Sequence, residues 1–301
     1  MFRNLRCYRI TSPWPDSEQE LSERLSEREF APCSAYSEKS AGWEAPDGTA
    51  EGSLGRRLAG ADLIQLRTQS RVLPVAAVKE ALEVRVAEYR SRMEQDPPRG
   101  ELRRLREQTR DELIPKALVK SERHRACFIQ SESLLAIDVG TVAKAEWFID
   151  QLRSCFPQFR CAPLTFNQSP VELMSRIFLG EQVKDFALGR ECRMQDQMDS
   201  KSIATWRDID LGEPSIRKHV TDGMKLTHLG VEYQQLASFV LGDDGVISKF
   251  RLAENEEADS PDNEDPIARL DADFVMLSAT ARRLMADLKQ RLGGYASLTG
   301  A

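Results

Sequence analysis

The sequence predicts an α+β protein, and three observations carry that prediction. Apolar residues recur at steps of three and four over 75–93 and again over 277–292, the spacing of one face of a helix. Between 225 and 252 lie runs of β-branched and aromatic residues broken by turn signals, the pattern of strands. The two kinds of segment are mixed without the regular βαβ alternation that a parallel sheet requires.

The chain has 301 residues and a mass of 34.0 kDa, enough for one large domain or two to three small ones. Its apolar runs last only a few residues, as in Leu134-Leu135-Ala136-Ile137, far short of the ~20 needed to cross a bilayer, so no membrane association is expected. The N-terminal Met1 to Cys7 has basic residues but no apolar core of a signal peptide, and the expected compartment is the cytosol. Six cysteines are scattered without a C-x-x-C pair, which argues against a disulfide framework and a zinc ribbon.

Taken in order, Phe2 to Ile10 reads as a short strand. Ser17 and Glu20 make a capping-box spacing ahead of a helix over about 18–29. Cys33 to Gly60, rich in Gly, Pro and Ser, reads mostly as loop, and Asp62 to Thr68 as a strand. From Val75 the apolar positions 75, 78, 82, 86, 89 and 93 predict an amphipathic helix that Pro97-Pro98-Arg99-Gly100 must stop. Leu102, Leu105, Thr109 and Leu113 give a second stripe, so 75–114 reads as an αα-hairpin able to project as an arm. Ala126–Gln130 and Leu134–Val139 read as strands and 142–152 as a helix packed on them. Ser169-Pro170-Val171-Glu172 opens another helix. Strands follow at 225–231, 238–241 and 246–252, the last two joined across Gly242-Asp243-Asp244-Gly245. Leu270 to Met276 alternates as a strand would, and Leu277 to Leu292 forms the final helix, capped by Gly293-Gly294.

The net charge is −6, which gives no nucleic-acid signature for the whole chain, but its distribution is uneven. Arg85 to Arg125 carries twelve Lys or Arg against eight acids, whereas Glu254 to Asp265 has seven acids and no base and reads as a solvated loop. On the second hairpin helix Arg99, Arg103, Arg106 and Arg110 recur at steps of four, three and four. That puts four guanidiniums along about 17 Å of one face, a match for a phosphate track. Arg92 belongs to the same basic run, and Lys116 and Lys120 extend the track past Pro115. The same letters fit a solvated helix in which Glu101, Glu107 and Asp111 pair with the arginines, and charge alone does not decide between the two.

A catalytic reading finds little to build on. The three histidines, His124, His219 and His228, have no second ligand at metal spacing, no metal or cofactor is expected, and no phosphate-binding glycine loop or nucleophile elbow occurs. One fragment, Asp138-Val139-Gly140-Thr141, resembles the first phosphate loop of actin-like and sugar-kinase ATPases, although a strand ending in a helix cap explains the same residues. An ATPase or kinase using that fragment is therefore one alternative. A protein-docking arm without DNA binding is another.

Several segments together resemble the bacterial recombination-associated protein RdgC family. They include Phe2-Arg3-Asn4-Leu5 with Tyr8-Arg9, Phe30-x-Pro32-Cys33, Gly42-Trp43 with Pro46, and Val72-Leu73-Pro74 leading into Val78-Lys79-Glu80-Ala81-Leu82. Leu113-Ile114-Pro115-Lys116-Ala117-Leu118, Ala143-Lys144-Ala145-Glu146, Asp243-Asp244-Gly245, Leu270 to Phe274 and Leu292-Gly293-Gly294 continue the series in order. The resemblance implies a non-enzymatic, nucleoid-associated protein that binds double-stranded DNA without sequence preference, and it leaves open whether single-stranded DNA is bound as well. It also implies a homodimeric ring around DNA and restraint of RecA-mediated recombination by occupying the duplex. The implied monomer is a horseshoe, with a central body over 1–73 and 119–166, a helical tip over 74–118 that is the hairpin, and a base over 167–301. Pro115 and Leu118 would then meet the second copy, Leu118 standing where the family usually has an aromatic residue. Arg207 would be a further DNA-binding residue, the one basic position surviving in Arg207-Asp208-Ile209-Asp210-Leu211, where the family commonly shows Lys-Lys-Gln-Asp-Leu.

Overall fold

The computed structural model describes residues 2–49, 51–199, 201–253 and 265–297. The first half of the chain forms β1 (Asn4–Ile10), α1 (Glu18–Ser26), β2 (Lys39–Glu44), β3 (Gly55–Leu58), β4 (Ala61–Val72), α2 (Val75–Met93), α3 (Arg99–Leu113), β5 (Leu118–Ile129), β6 (Leu134–Ile137) and α4 (Val142–Cys155). The second half forms β7 (Cys161–Pro163), α5 (Pro170–Phe178), β8 (Phe186–Asp196), β9 (Ile203–Arg207), α6 (Pro214–Thr221), β10 (Met224–Tyr233), β11 (Ala237–Gly242), β12 (Ile247–Leu252) and α7 (Pro266–Arg291). The class is α+β, as the mixed pattern predicts. No helix among the described residues is long and apolar enough to cross a membrane.

The chain divides into two compact units, passing from one to the other after Glu27 and Glu44 and within β4 and β5. The larger comprises residues 1–27, 45–65 and 124–301. Its strands are antiparallel, in the order β5, β6, β1, β12, β11, β10, β8, β9, with β3 on the start of β4 and β7 on β1. Two amphipathic helices cover the second half of this sheet. Met174, Ile177 and Phe178 of α5 and Phe274, Leu277 and Leu284 of α7 share one buried cluster with Met194, Leu229 and Leu241. Each such side chain contributes about 1.5–3 kcal/mol on leaving water.

The smaller unit comprises residues 28–44 and 66–123. In it β2, the end of β4 and the start of β5 are neighbours, and α2 and α3 form the predicted antiparallel hairpin. Glu94 stops α2 by entering the left-handed region at φ 55°, and Pro98 serves as the extended N-cap of α3. Leu82, Thr109 and Ile114 are buried, but the stripe does not extend to its ends: Val75 is 85% exposed and Met93 is exposed as well.

Local signals place several boundaries well. Ser17 accepts from the Glu20 amide at 3.1 Å, and Glu20 reaches back to the Asp16 amide at 3.1 Å. Ser169 caps α5, and Gly245, at φ 79°, closes the β11–β12 turn. Gly294 donates to the Lys289 carbonyl at 2.7 Å with Gly293 and Gly294 both at positive φ, ending α7.

Three expectations are corrected. The segment over 33–60 contains β2 and β3, whose residues have little strand propensity and become strands by pairing with β4. The first helix ends at Ser26, not near residue 29. Leu270 to Met276 is not a strand but part of α7. Phe274 is fully buried while Val275 and Met276 are exposed, so the true period runs 274, 277, 281, 284, 288. The acidic run from Glu254 to Glu264 lies outside the described residues; Asp265 after it caps α7 by accepting from the Ile267 amide at 3.0 Å.

Candidate nucleic-acid interface

All four arginines of the predicted track fall on α3, the helix Arg99–Leu113. On an ideal helix they keep within an arc of about 60°, roughly a quarter turn from the stripe of Leu102, Leu105, Thr109 and Leu113 that faces inward. The inward face is therefore held by packing, and by the Thr109 hydroxyl donating to the Leu105 carbonyl at 2.6 Å, while the arginines are exposed.

Their partners divide them. Arg103 pairs with Glu107 at 3.0 Å, one turn along the helix, and Arg110 with Glu38 at 2.7 Å. Arg99 and Arg106 have no carboxylate within 4 Å among the described residues, and neither does Arg92 on α2. Arg104, on the neighbouring face, meets Glu101 at 3.8 Å, and in the same hairpin Arg85 bonds Glu112 and Arg90 bonds Asp96. The pairing expected of a solvated helix is thus present at Arg103 and absent at Arg99 and Arg106. Exposed pairs of this kind are worth about 0–1 kcal/mol. A guanidinium held by so weak a pair keeps N–H groups that can be offered in parallel to a bidentate acceptor such as a carboxylate or phosphate.

Beyond α3 the track changes character. Lys116 lies in a 3-10 turn over Ile114–Lys116 and is exposed, with no carboxylate within 4 Å among the described residues, although its charge acts on Glu112. Lys120 is on β5, not on a continued helix face, and pairs with Glu122 at 2.7 Å. Arg71 ties down this corner by donating to the carbonyls of Ala117 at 3.3 Å and Ser34 at 3.0 Å. Pro115 and Leu118 are both exposed, Leu118 at 81%, and Val72, Val119 and Tyr36 of the same unit are exposed too. Arg207 stands in the larger unit, at the end of β9 opposite Glu191, with no carboxylate within 4 Å among the described residues.

Burial and hydrogen bonding elsewhere are structural. Glu44 binds Arg67 and Arg123, each at 2.7 Å, and Arg67 lies over the Phe30 ring at 4.5 Å. Burial alone would raise the Glu44 carboxyl, but the hydrogen bonds from Arg123 and Arg67 outweigh it and hold the group below the usual carboxylate range. Burial pushes the thiol of Cys7 up to about 12 and that of Cys161 to about 11, the opposite of an activated nucleophile. Among the described residues no group of three His, Cys, Asp or Glu side chains is arranged to hold a metal ion.

The Asp138 to Thr141 fragment is likewise engaged in holding the chain together. Asp138 Oδ1 accepts from the backbone amides of Arg3 at 3.0 Å and Asn4 at 2.8 Å, and from the Asn4 side chain at 3.1 Å. Thr141 caps α4 by accepting from the Lys144 amide at 3.4 Å. The two groups that a phosphate loop would offer to a nucleotide are thus used for strand attachment and helix capping, which removes the basis of the ATPase reading.

Sequence reasoning missed Arg193, exposed on β8 and opposite Thr205 of β9. The signal was the alternation of Arg193 with buried Cys192 and Met194, which a mostly polar strand obscures.

Comparison with known proteins comes out the same along the whole chain. The family model described as "Putative exonuclease, RdgC" matches residues 1–295. A recombination-associated protein RdgC of Laribacter hongkongensis is 31% identical over 297 residues, covering 97% of this chain and 98% of its own. Another, of Cupriavidus necator, is 29% identical over 296 residues, and one of Sodalis glossinidius is 27% identical over 303 residues with 99% of both chains covered.

Proposed function

Since the chain belongs to the RdgC family, we propose that it acts in recombination as a DNA-binding protein that grips the phosphates of duplex DNA and breaks no bond. Two copies close around the duplex as a ring and, by occupying it, restrain a RecA-type recombinase at the nucleoid. The observation that carries this reading is the pair Arg99 and Arg106. Two guanidiniums on one face of α3 lack carboxylate partners among the described residues, in line with Arg103 and Arg110, whose surface pairs a phosphate can displace. A protein of net charge −6 can still bind a polyanion when such groups converge on one surface, because the local field rather than the total charge sets the attraction. Pro115 and Leu118, exposed beside Val72 and Val119, supply an apolar face for the second copy.

The test is duplex binding as a function of salt. Log K should fall linearly against log[salt], and R99A/R106A should flatten the slope by about 1.8, roughly 0.9 for each phosphate no longer held, equally on unrelated sequences. A salt-independent affinity would reject the reading. The relatives' family description names an exonuclease, so end-labelled duplex incubated with the protein and Mg²⁺ is the second arm. Intact DNA agrees with a protein that only holds it, and shortened strands overturn that part of the reading.

A further inference from the structure

The outward face of the sheet formed by β8 to β12 holds a second basic surface. It is a groove of about 340 Å³ entirely within the larger unit. Its walls are set by strand register. Arg193 of β8 lies opposite Thr205 of β9 on one side and His228 of β10 on the other, and Arg207 lies opposite Glu191 in the next row on the same face. Cys192 and Met194, on either side of Arg193, are buried in the core, so Glu191 and Arg193 point out.

Two glycines lie in the rows that border the groove. In the row with Arg193 and His228 the next residue is Gly242, and Gly230 lies opposite Val240 in the row beside it. The place of a Cβ on Gly242 is taken by the Asp244 carboxylate, 2.6 Å away, and that on Gly230 by Glu191. A Cβ on Gly230 would come within 3.2 Å of Glu191 Cγ, so its absence lets Glu191 lean across the sheet. Glu191 there meets the ammonium of Lys249, carried on a residue at φ 52°, at 2.8 and 2.5 Å. The single carboxylate lining the groove is thereby neutralised. Arg193 and Arg207 have no carboxylate within 4 Å among the described residues. Two unpaired guanidiniums, a hydroxyl from Thr205 and an imidazole converge on one concavity whose acid is already satisfied.

We propose that this groove is a phosphate-binding site, with Arg193 and Arg207 as its anchors, and that its ligand is the phosphodiester backbone of DNA. The proposal rests on the DNA-binding reading for the source of the phosphates, but it concerns residues in a different unit from α3. Guanidiniums on diagonal positions of neighbouring strands stand about 7–8 Å apart at their Cβ atoms, close enough to the spacing of successive phosphates on one strand to hold two of them.

The experiment compares salt slopes of duplex binding for the full chain and for R193A/R207A, with R193K/R207K and T205E alongside. The expected result is a slope flattened by about 1.8 and a Kd raised roughly tenfold per phosphate released near 0.1 M salt for the alanine pair. The lysine pair should retain the slope, and T205E, which places a carboxylate opposite Arg193, should weaken binding with an unchanged thermal midpoint. A folded R193A/R207A protein that binds duplex with the parental slope overturns the groove and leaves the α3 reading standing. If the parental protein binds no duplex, the DNA reading fails instead, and titration with inorganic phosphate decides the groove. Saturable heat that disappears in R193A/R207A supports a site for a free phosphate anion, and no heat overturns the site altogether.

Discussion

The Arg110 guanidinium on α3 forms an ion pair with the carboxylate of Glu38, just before β2, at 2.7 Å, joining positions 72 residues apart within the smaller unit. The pair is half exposed on both sides, so it adds little stability and mainly screens one of four aligned arginines.

Replacing Glu38 by Gln should therefore tighten duplex binding. We expect a gain of roughly two- to tenfold near 0.1 M salt, with the salt slope steeper by up to about 0.9 as Arg110 becomes available to a phosphate. The stability cost should stay under about 1 kcal/mol. Fluorescence anisotropy at several salt concentrations checks the first, and urea unfolding the second.

The Glu44 carboxylate between Arg67 and Arg123 makes the smaller unit sensitive to acid. Its carboxyl is depressed in the folded protein, so the stability it contributes is fully present above the unfolded value, ~4.3, and is lost as pH falls through the folded value. Hydrogen exchange between pH 6 and pH 3 should show amides of β2, β4 and β5 in this unit losing protection in that window. E44Q should remove the acid dependence and cost about 1–2 kcal/mol at pH 7.

Asp62 is fully buried and accepts from Arg57 Nε at 2.6 Å and from the Trp14 indole at 2.7 Å, with Trp14 seated against Phe128 at 4.5 Å. D62A leaves the Arg57 guanidinium, only 21% exposed, without its carboxylate. We expect a loss of about 3–5 kcal/mol and a red shift of Trp14 fluorescence, read from denaturant titration. A loss below about 1 kcal/mol would contradict this account of the cluster.

The assignment of residues 270–276 to α7 has a direct consequence for stability. F274A should cost about 3–5 kcal/mol, because Phe274 is fully buried among the helix and sheet side chains. M276A, at a site 43% exposed, should change stability by no more than about 0.5 kcal/mol. On a strand with Leu270, Ala272, Phe274 and Met276 inward the two would have similar effects.

Features governed by neighbours in sequence were legible from it. The α+β class, the bounds of α2 at Val75 and Met93, the caps at Ser17 and Ser169, the Gly242–Gly245 turn and the glycine stop after α7 all depend on residues within about six positions of one another. Spacing alone also placed the four arginines on one helical face. The pair Arg103–Glu107 spans one helical turn and was legible too, whereas tertiary structure alone gave Arg110 its carboxylate, because Glu38 reaches it only through the fold. It likewise assigned Asp138 to the amides of Arg3 and Asn4, more than 130 residues away, and brought Arg193, Thr205 and His228 into one row across three strands. A hydrogen bond or ion pair has a range of a few ångströms and carries no record of separation along the chain, so strand register and packing, not residue spacing, determine its partners.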